Sequence, residues 1–144
     1  MIPKFRAYDS GSLTRMYQPE EVMVCDGNIW IIDEDDVAGS WIVNNDLNLM
    51  QSTGLKDKNG KEIFEGDVLE IQGIKMIVKF GSYKYLETSK NNGHILGVLH
   101  DGLGFYVECI NVADPDNISP FEPETLKNSQ IIGNIYENKE LLDA

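Results

Sequence analysis

Residues 49–71 read LMQSTGLKDKNGKEIFEGDVLEI, and the second half of that stretch sets the fold. Asn59-Gly60 is a tight-turn pair. A type I′ turn is expected there, because both central positions of such a turn need positive φ and Asn and Gly tolerate it. Gly66 precedes Asp67-Val68, where a residue without Cβ lets the backbone bend into a strand. The strand that follows, residues 68–71, is resumed at residues 74–80. With Gln72-Gly73 as a two-residue loop, Ile71 faces Ile74, Glu70 faces Lys75 and Leu69 faces Met76. Leu69, Ile71, Ile74, Met76 and Val78 then share one face, extended by Phe80. Glu70 and Lys75 form an opposite-charge pair on the other face, worth roughly 0.2–1 kcal/mol. A slip of one residue would turn the apolar set outward, so the pattern specifies this register.

Working outward, the same grammar recurs. Residues 4–8 (KFRAY) alternate as a short half-buried strand. Two apolar runs, 22–25 and 29–32, flank Asp26-Gly27, a second type I′ signal, with Trp30 on the second strand. Residues 41–43 predict another short strand. Residues 95–100 and 103–110 flank Asp101-Gly102 and predict a third hairpin, with His100 facing Leu103 and Val98 facing Phe105. Residues 83–93 are polar and end in Lys90-Asn91-Asn92-Gly93, read as a loop. Three prolines and three acids make residues 114–123 a loop. Pro123-Glu124-Thr125-Leu126 opens a helical turn, residues 131–136 read as a closing strand, and Asn138 is placed to cap a last turn through Leu142. Seven to nine short strands with little helix predict an all-β barrel or sandwich.

The formal net charge is −12, which opposes nonspecific binding to nucleic acid. The charge is uneven: residues 1–19 carry +2, 20–36 carry −7, 37–107 carry −1 and 108–144 carry −6. No apolar signal region follows the N-terminus and no run approaches membrane-span length, so a cytoplasmic protein is expected. The two cysteines, Cys25 and Cys109, belong to no CxxC pair and are expected as buried, reduced thiols.

No catalytic, cofactor or metal site is expected, and the chain is not read as an enzyme. His94 and His100 lie in no nucleophile motif. With Cys25 and Cys109 they lack zinc-ligand spacing. The consecutive carboxylates Asp33-Glu34-Asp35-Asp36 read as a solvated loop, since a hard cation wants its oxygens spaced around a turn. Asp57-x-Asn59 fails as a calcium loop because Lys61 takes the third ligand place. Two binding readings remain open. Lys75, Lys79 and Lys84 beside Tyr83 and Tyr85 resemble the cation-and-ring set of a single-strand nucleic-acid binder. The acid surplus resembles a DNA mimic that occupies a basic cleft on a host DNA-binding enzyme.

Three stretches together resemble the YopX family of phage and prophage proteins: KFRAYD at residues 4–9, LMQSTGLKDKNGKEIFEGDV at 49–68 and IGNIYEN at 132–138. They fall near both ends and in the family's order. The resemblance implies an SH3-like β-barrel from about residue 49 after an N-terminal β-hairpin segment, 1–48, with one continuous domain as the alternative. It also implies a phage or prophage origin, a host bacterial cytoplasm and self-assembly into oligomers. It transfers no catalytic residue. The expected role is therefore non-enzymatic, acting through a protein partner or a second copy, with Lys56, Asp57, Lys58 and Asn59 as a candidate contact loop.

Overall fold

The computed structural model describes residues 4–142 except 12–13, 92, 111–117 and 121. It is nearly all β, as the sequence predicts. Along the chain run β1 (Phe5–Asp9), β2 (Arg15–Tyr17), β3 (Val22–Cys25), β4 (Asn28–Ile32), β5 (Trp41–Val43), β6 (Asn48–Lys56), β7 (Glu62–Phe64), β8 (Asp67–Ile71), β9 (Ile74–Asn91), β10 (His94–Cys109), β11 (Ile118–Pro120) and β12 (Gln130–Asn134). One helical turn, α1 (Pro123–Leu126), precedes β12, and 3-10 turns occupy Pro19–Glu21 and Lys139–Leu142. The chain divides into two compact units, Met1–Gly54 and Leu55–Ala144. The division falls inside β6.

In the first unit β1 lies between β2 and β6, and β3, β4 and β5 form a separate antiparallel sheet. Asp26 and Gly27 take φ of 53° and 75°, so β3 and β4 are joined by the expected type I′ turn. Ala7, Tyr17, Val22, Ile31 and Leu47 make the core, with Ile29 and Leu49 packed on it.

The second unit is built on a five-stranded antiparallel sheet in the order β11-β10-β9-β8-β12. The last strand returns beside the first of the series, an order compatible with the SH3-like arrangement the resemblance implies. The β8–β9 hairpin has the predicted register, Ile71 to Ile74, Glu70 to Lys75 and Leu69 to Met76. Gln72 and Gly73 supply its turn at φ of 50° and 82°. Leu69, Met76 and Val78 enter the core with Ile63, Val107 and Leu126. Ile74 and Phe80 share their side of the sheet but are exposed.

Three expectations are corrected. The Asn59-Gly60 turn is not type I′. Only Gly60 has positive φ, 79°, and its N–H donates to the Asp57 carbonyl while the Asp57 N–H donates to the Lys61 carbonyl. This is a type I turn closed by a left-handed glycine, which spares Asn59 the positive φ. Asp101-Gly102 is not a turn either. Both residues lie inside β10, opposite Lys84 and Tyr83, with His100 facing Tyr85 and Phe105 facing Phe80. The reversal comes instead between Asn91 and His94, which pair across the hairpin, with Gly93 at φ 80°. The expected loop at residues 83–93 is corrected with it: residues 83–91 are the outer half of β9, and their partners are the residues of β10 from His94 to Gly102. Finally, Asn138 does not cap the last turn with its side chain. Its Oδ1 accepts from the Asn134 N–H at 3.1 Å, while the Asn134 Oδ1 accepts from the Tyr136 and Glu137 N–H groups. Gly133 makes room for that network, since a Cβ there would lie 2.6 Å from the Asn138 Oδ1.

Candidate functional site

The longest feature of the second unit is the β9–β10 hairpin. Its strands pair continuously from Met76–Cys109 out to Asn91–His94. Beyond the rungs shared with β8 and β11, from Phe80–Phe105 outward, it is a two-stranded ribbon among the described residues. Twelve rungs at strand rise make an arm of roughly 40 Å.

Alternation along the strands sorts the arm into two faces. One continues the core side outward: Phe105 packs edge-on to Phe80 with ring centroids 4.9 Å apart, and Leu103 and Leu99 follow. Three of these are strongly exposed, Phe80 at 49%, Leu99 at 63% and Leu103 at 80%. The other face carries a line of rings. Tyr106 stacks on Tyr83 at 4.7 Å, Tyr83 tilts against Tyr85 at 5.8 Å, and Tyr85 stacks on His100 at 5.0 Å. Glycine makes this possible twice. The Gly81–Gly104 rung has no side chains to separate Tyr106 from Tyr83. Gly102 lies under the Tyr83 ring, where a Cβ would come within 2.3 Å of the ring. Ser82, Tyr83, Lys84, Asp101, Gly102 and Tyr106 line an open cleft of about 480 Å³.

Among the described residues, the charged side chains on the arm and at its base sit beside ionisable partners. Lys79 Nζ is ion-paired with the Glu108 carboxylate, and Lys84 reaches Asp101 at 4.0 Å. His100 Nε2 faces the Glu87 carboxylate at 3.6 Å. Lys75 sits opposite Glu70 in the β8–β9 register. The structure therefore places Lys84, Tyr83 and Tyr85 on the arm and Lys79 one rung below it, but the two lysines face carboxylates and the two rings already stack on protein partners. The His94 side chain lies outside the described residues.

The loop at residues 56–59 is organised by Asp57. Its buried carboxylate accepts N–H groups of Asn59 and Lys61 on one oxygen and of Ile131 on the other, all at 2.9 Å. Burial pushes the Asp57 carboxyl up, but these three bonds and the Lys61 charge outweigh it and hold it below the ordinary 3.8. Lys56, Lys58 and Asn59 are exposed around it. Sequence reasoning placed all four in one contact loop. The signal that sets Asp57 apart, an aspartate two residues before a turn Asn, is an Asx-turn signal.

Residues 33–36 form the expected open loop. The Asp33 and Asp36 carboxylates accept the Asp35 and Ala38 N–H groups. A Ser40 hydroxyl bond, then the Ala38 bond, draw the Asp36 carboxyl below its usual value. Arg15 pairs with both Glu21 and Glu34. Among the described residues no three His, Cys, Asp or Glu side chains converge as metal ligands. Both cysteines are free thiols, and Cys25 is exposed rather than buried, since it stands at the end of β3 beside the turn. Among the described residues no helix is long and apolar enough to cross a membrane.

An all-β chain of two units with a projecting aromatic hairpin is the class this geometry defines. The family model described as "YopX protein" matches residues 4–143, and the chain belongs to that family. Its structure is similar to the crystal structure of protein EF1440 from Enterococcus faecalis, with a TM-score of 0.52 and 26% identity over 99% of each chain. Among curated proteins no match is found.

Proposed function

We propose that this YopX-family chain is a non-enzymatic protein of phage or prophage origin that acts in the host cytoplasm through protein contacts made by the β9–β10 arm, including contacts with its own copies. The observation that carries the reading is the exposed apolar row Phe80, Leu99 and Leu103 on a ribbon that has no third strand among the described residues. Apolar side chains exposed in a row on a charge-paired surface are the composition of a protein interface rather than of a solvated face. The arm's ion pairs count against nucleic-acid binding, because the cations that would meet phosphate already meet carboxylate.

The test is light scattering on the purified chain and on Leu99→Lys/Leu103→Lys, combined with pull-down from host lysate. The wild type is expected to assemble, or to capture a discrete partner, and the double variant to lose that contact while keeping its β-sheet circular dichroism. A monomeric wild type whose captured proteins are unchanged by the double variant would overturn the reading. A DNA-mimic role is a second reading, favoured by the acid run at residues 20–36. It requires duplex DNA to compete captured partners away.

A further inference from the structure

The β3–β4–β5 sheet of the first unit has apolar side chains on both faces. Val22, Ile29 and Ile31 point to the core side, with Val24 and Ile42 at its exposed margin. On the opposite side, the register aligns Met23, Trp30 and Val43 in one row across all three strands. Ile32 and Trp41 form the next row. Met23 is 42% and Val43 44% exposed, while Trp30, Ile32 and Trp41 are half-buried. The Trp30 indole N–H donates to the Cys25 carbonyl at 3.3 Å, so the one polar atom of the ring is satisfied within the sheet. Two Trp with a Met on one face match the residue types enriched at protein interfaces, and Val43 adds apolar area beside them.

The charge around this face decides what it accepts. No Lys or Arg occurs between Arg15 and Lys56. The strands of the sheet are entered and left through acid: Glu20 and Glu21 before β3, Asp26 in the β3–β4 turn, and residues 33–36 after β4. Arg15 is committed to Glu21 and Glu34, which leaves the other carboxylates unneutralised by it. A second copy of this chain, at net charge −12, would be repelled from such a rim, as would nucleic acid or an anionic lipid surface.

We propose that the outer face of the β3–β4–β5 sheet docks a basic segment of a partner protein, with apolar side chains set over Met23, Trp30 and Val43 and lysines or arginines meeting the carboxylates at the two ends of the sheet. The proposal is independent of the arm in the second unit. β4 spans five residues, so the complementary segment is short, roughly 17 Å of apolar stretch between basic flanks.

The chain reports on this face by itself, because its only two tryptophans are Trp30 and Trp41. The full chain is titrated with a tryptophan-free peptide of three lysines, a Leu-Leu-Val-Leu centre and three lysines, and its intrinsic emission is followed. A saturable blue shift is expected, weakening by about tenfold between low and moderate salt as the end charges are screened. Met23→Ser/Val43→Ser, both at exposed positions, is expected to weaken binding by about tenfold with an unchanged thermal midpoint. Four results would overturn the proposal: no emission change at low salt, an equal response to a peptide with the same centre and glutamates in place of the lysines, an equal response to a lysine-only peptide, or an emission change that tracks protein concentration without peptide. The last would assign the face to a second copy.

Discussion

A single carboxylate, Asp57, holds three backbone N–H groups from two distant parts of the sequence. Asparagine offers one acceptor oxygen in place of two and turns an amide toward donors. Asp57→Asn should therefore cost about 1–3 kcal/mol of stability at neutral pH, read as a lower urea midpoint. The pH dependence follows from the direction of the shift. A carboxyl held below 3.8 in the folded state contributes its stabilisation above that value and loses it as pH falls through the folded-state pKa. The gap between wild type and Asp57→Asn should thus be full at pH 7 and close in strong acid. Denaturation curves at the two pH values check it, and a gap that widens on acidification would contradict the assignment.

At the scale of elements, the hairpins show what a sequence discloses. The β8–β9 register was legible because alternation and a two-residue Gln-Gly loop agree rung by rung. Its turn is still imperfect: Gln72 sits at φ 50°, where asparagine and glycine rest more easily. Gln72→Asn should raise stability by about 0.5–1 kcal/mol, seen as a higher urea midpoint at unchanged slope. The β9–β10 hairpin was misplaced because two Gly-containing turn signals compete, Asp101-Gly102 and Asn92-Gly93, and local chemistry alone does not rank them. What decides is non-local, the pairing of Tyr83 with Gly102 and of Tyr85 with His100. The strands β2, β6, β7 and β11 are not read from the sequence: β2, β7 and β11 have three residues each, and β6, though nine long, is mostly polar and carries no sustained alternation. The ring line of the arm was half legible. Tyr83 and Tyr85 stood out beside their lysines, but Tyr106 joins them only across a glycine rung fixed by the register.

For the molecule as a whole, acid dominates both flanks while the middle is nearly balanced. Colloidal behaviour follows the net charge. Solubility should pass through a minimum near pH 4.4, where the excess of negative charge vanishes. Turbidity across pH 3–8 measures this, and a minimum displaced toward neutrality would mean that the exposed apolar rows rather than net charge govern association. All-β class and family were readable from end to end because the three motif stretches bracket the chain. The role was not, since interaction surfaces are made by side chains that only the sheet registers bring into line.

The division between the two units lies within β6. Domains exchanged during evolution are commonly joined by exposed linkers, where few contacts are cut. Here the joint is itself a strand: a recombination break at Gly54 would cut β6 between Asn48–Gln51, which pair with β1, and Leu55, which packs on the second core. Neither half leaves cleanly. A joint of that kind favours inheritance of the two units as a pair, and the match to the Enterococcus faecalis protein covers 99% of each chain.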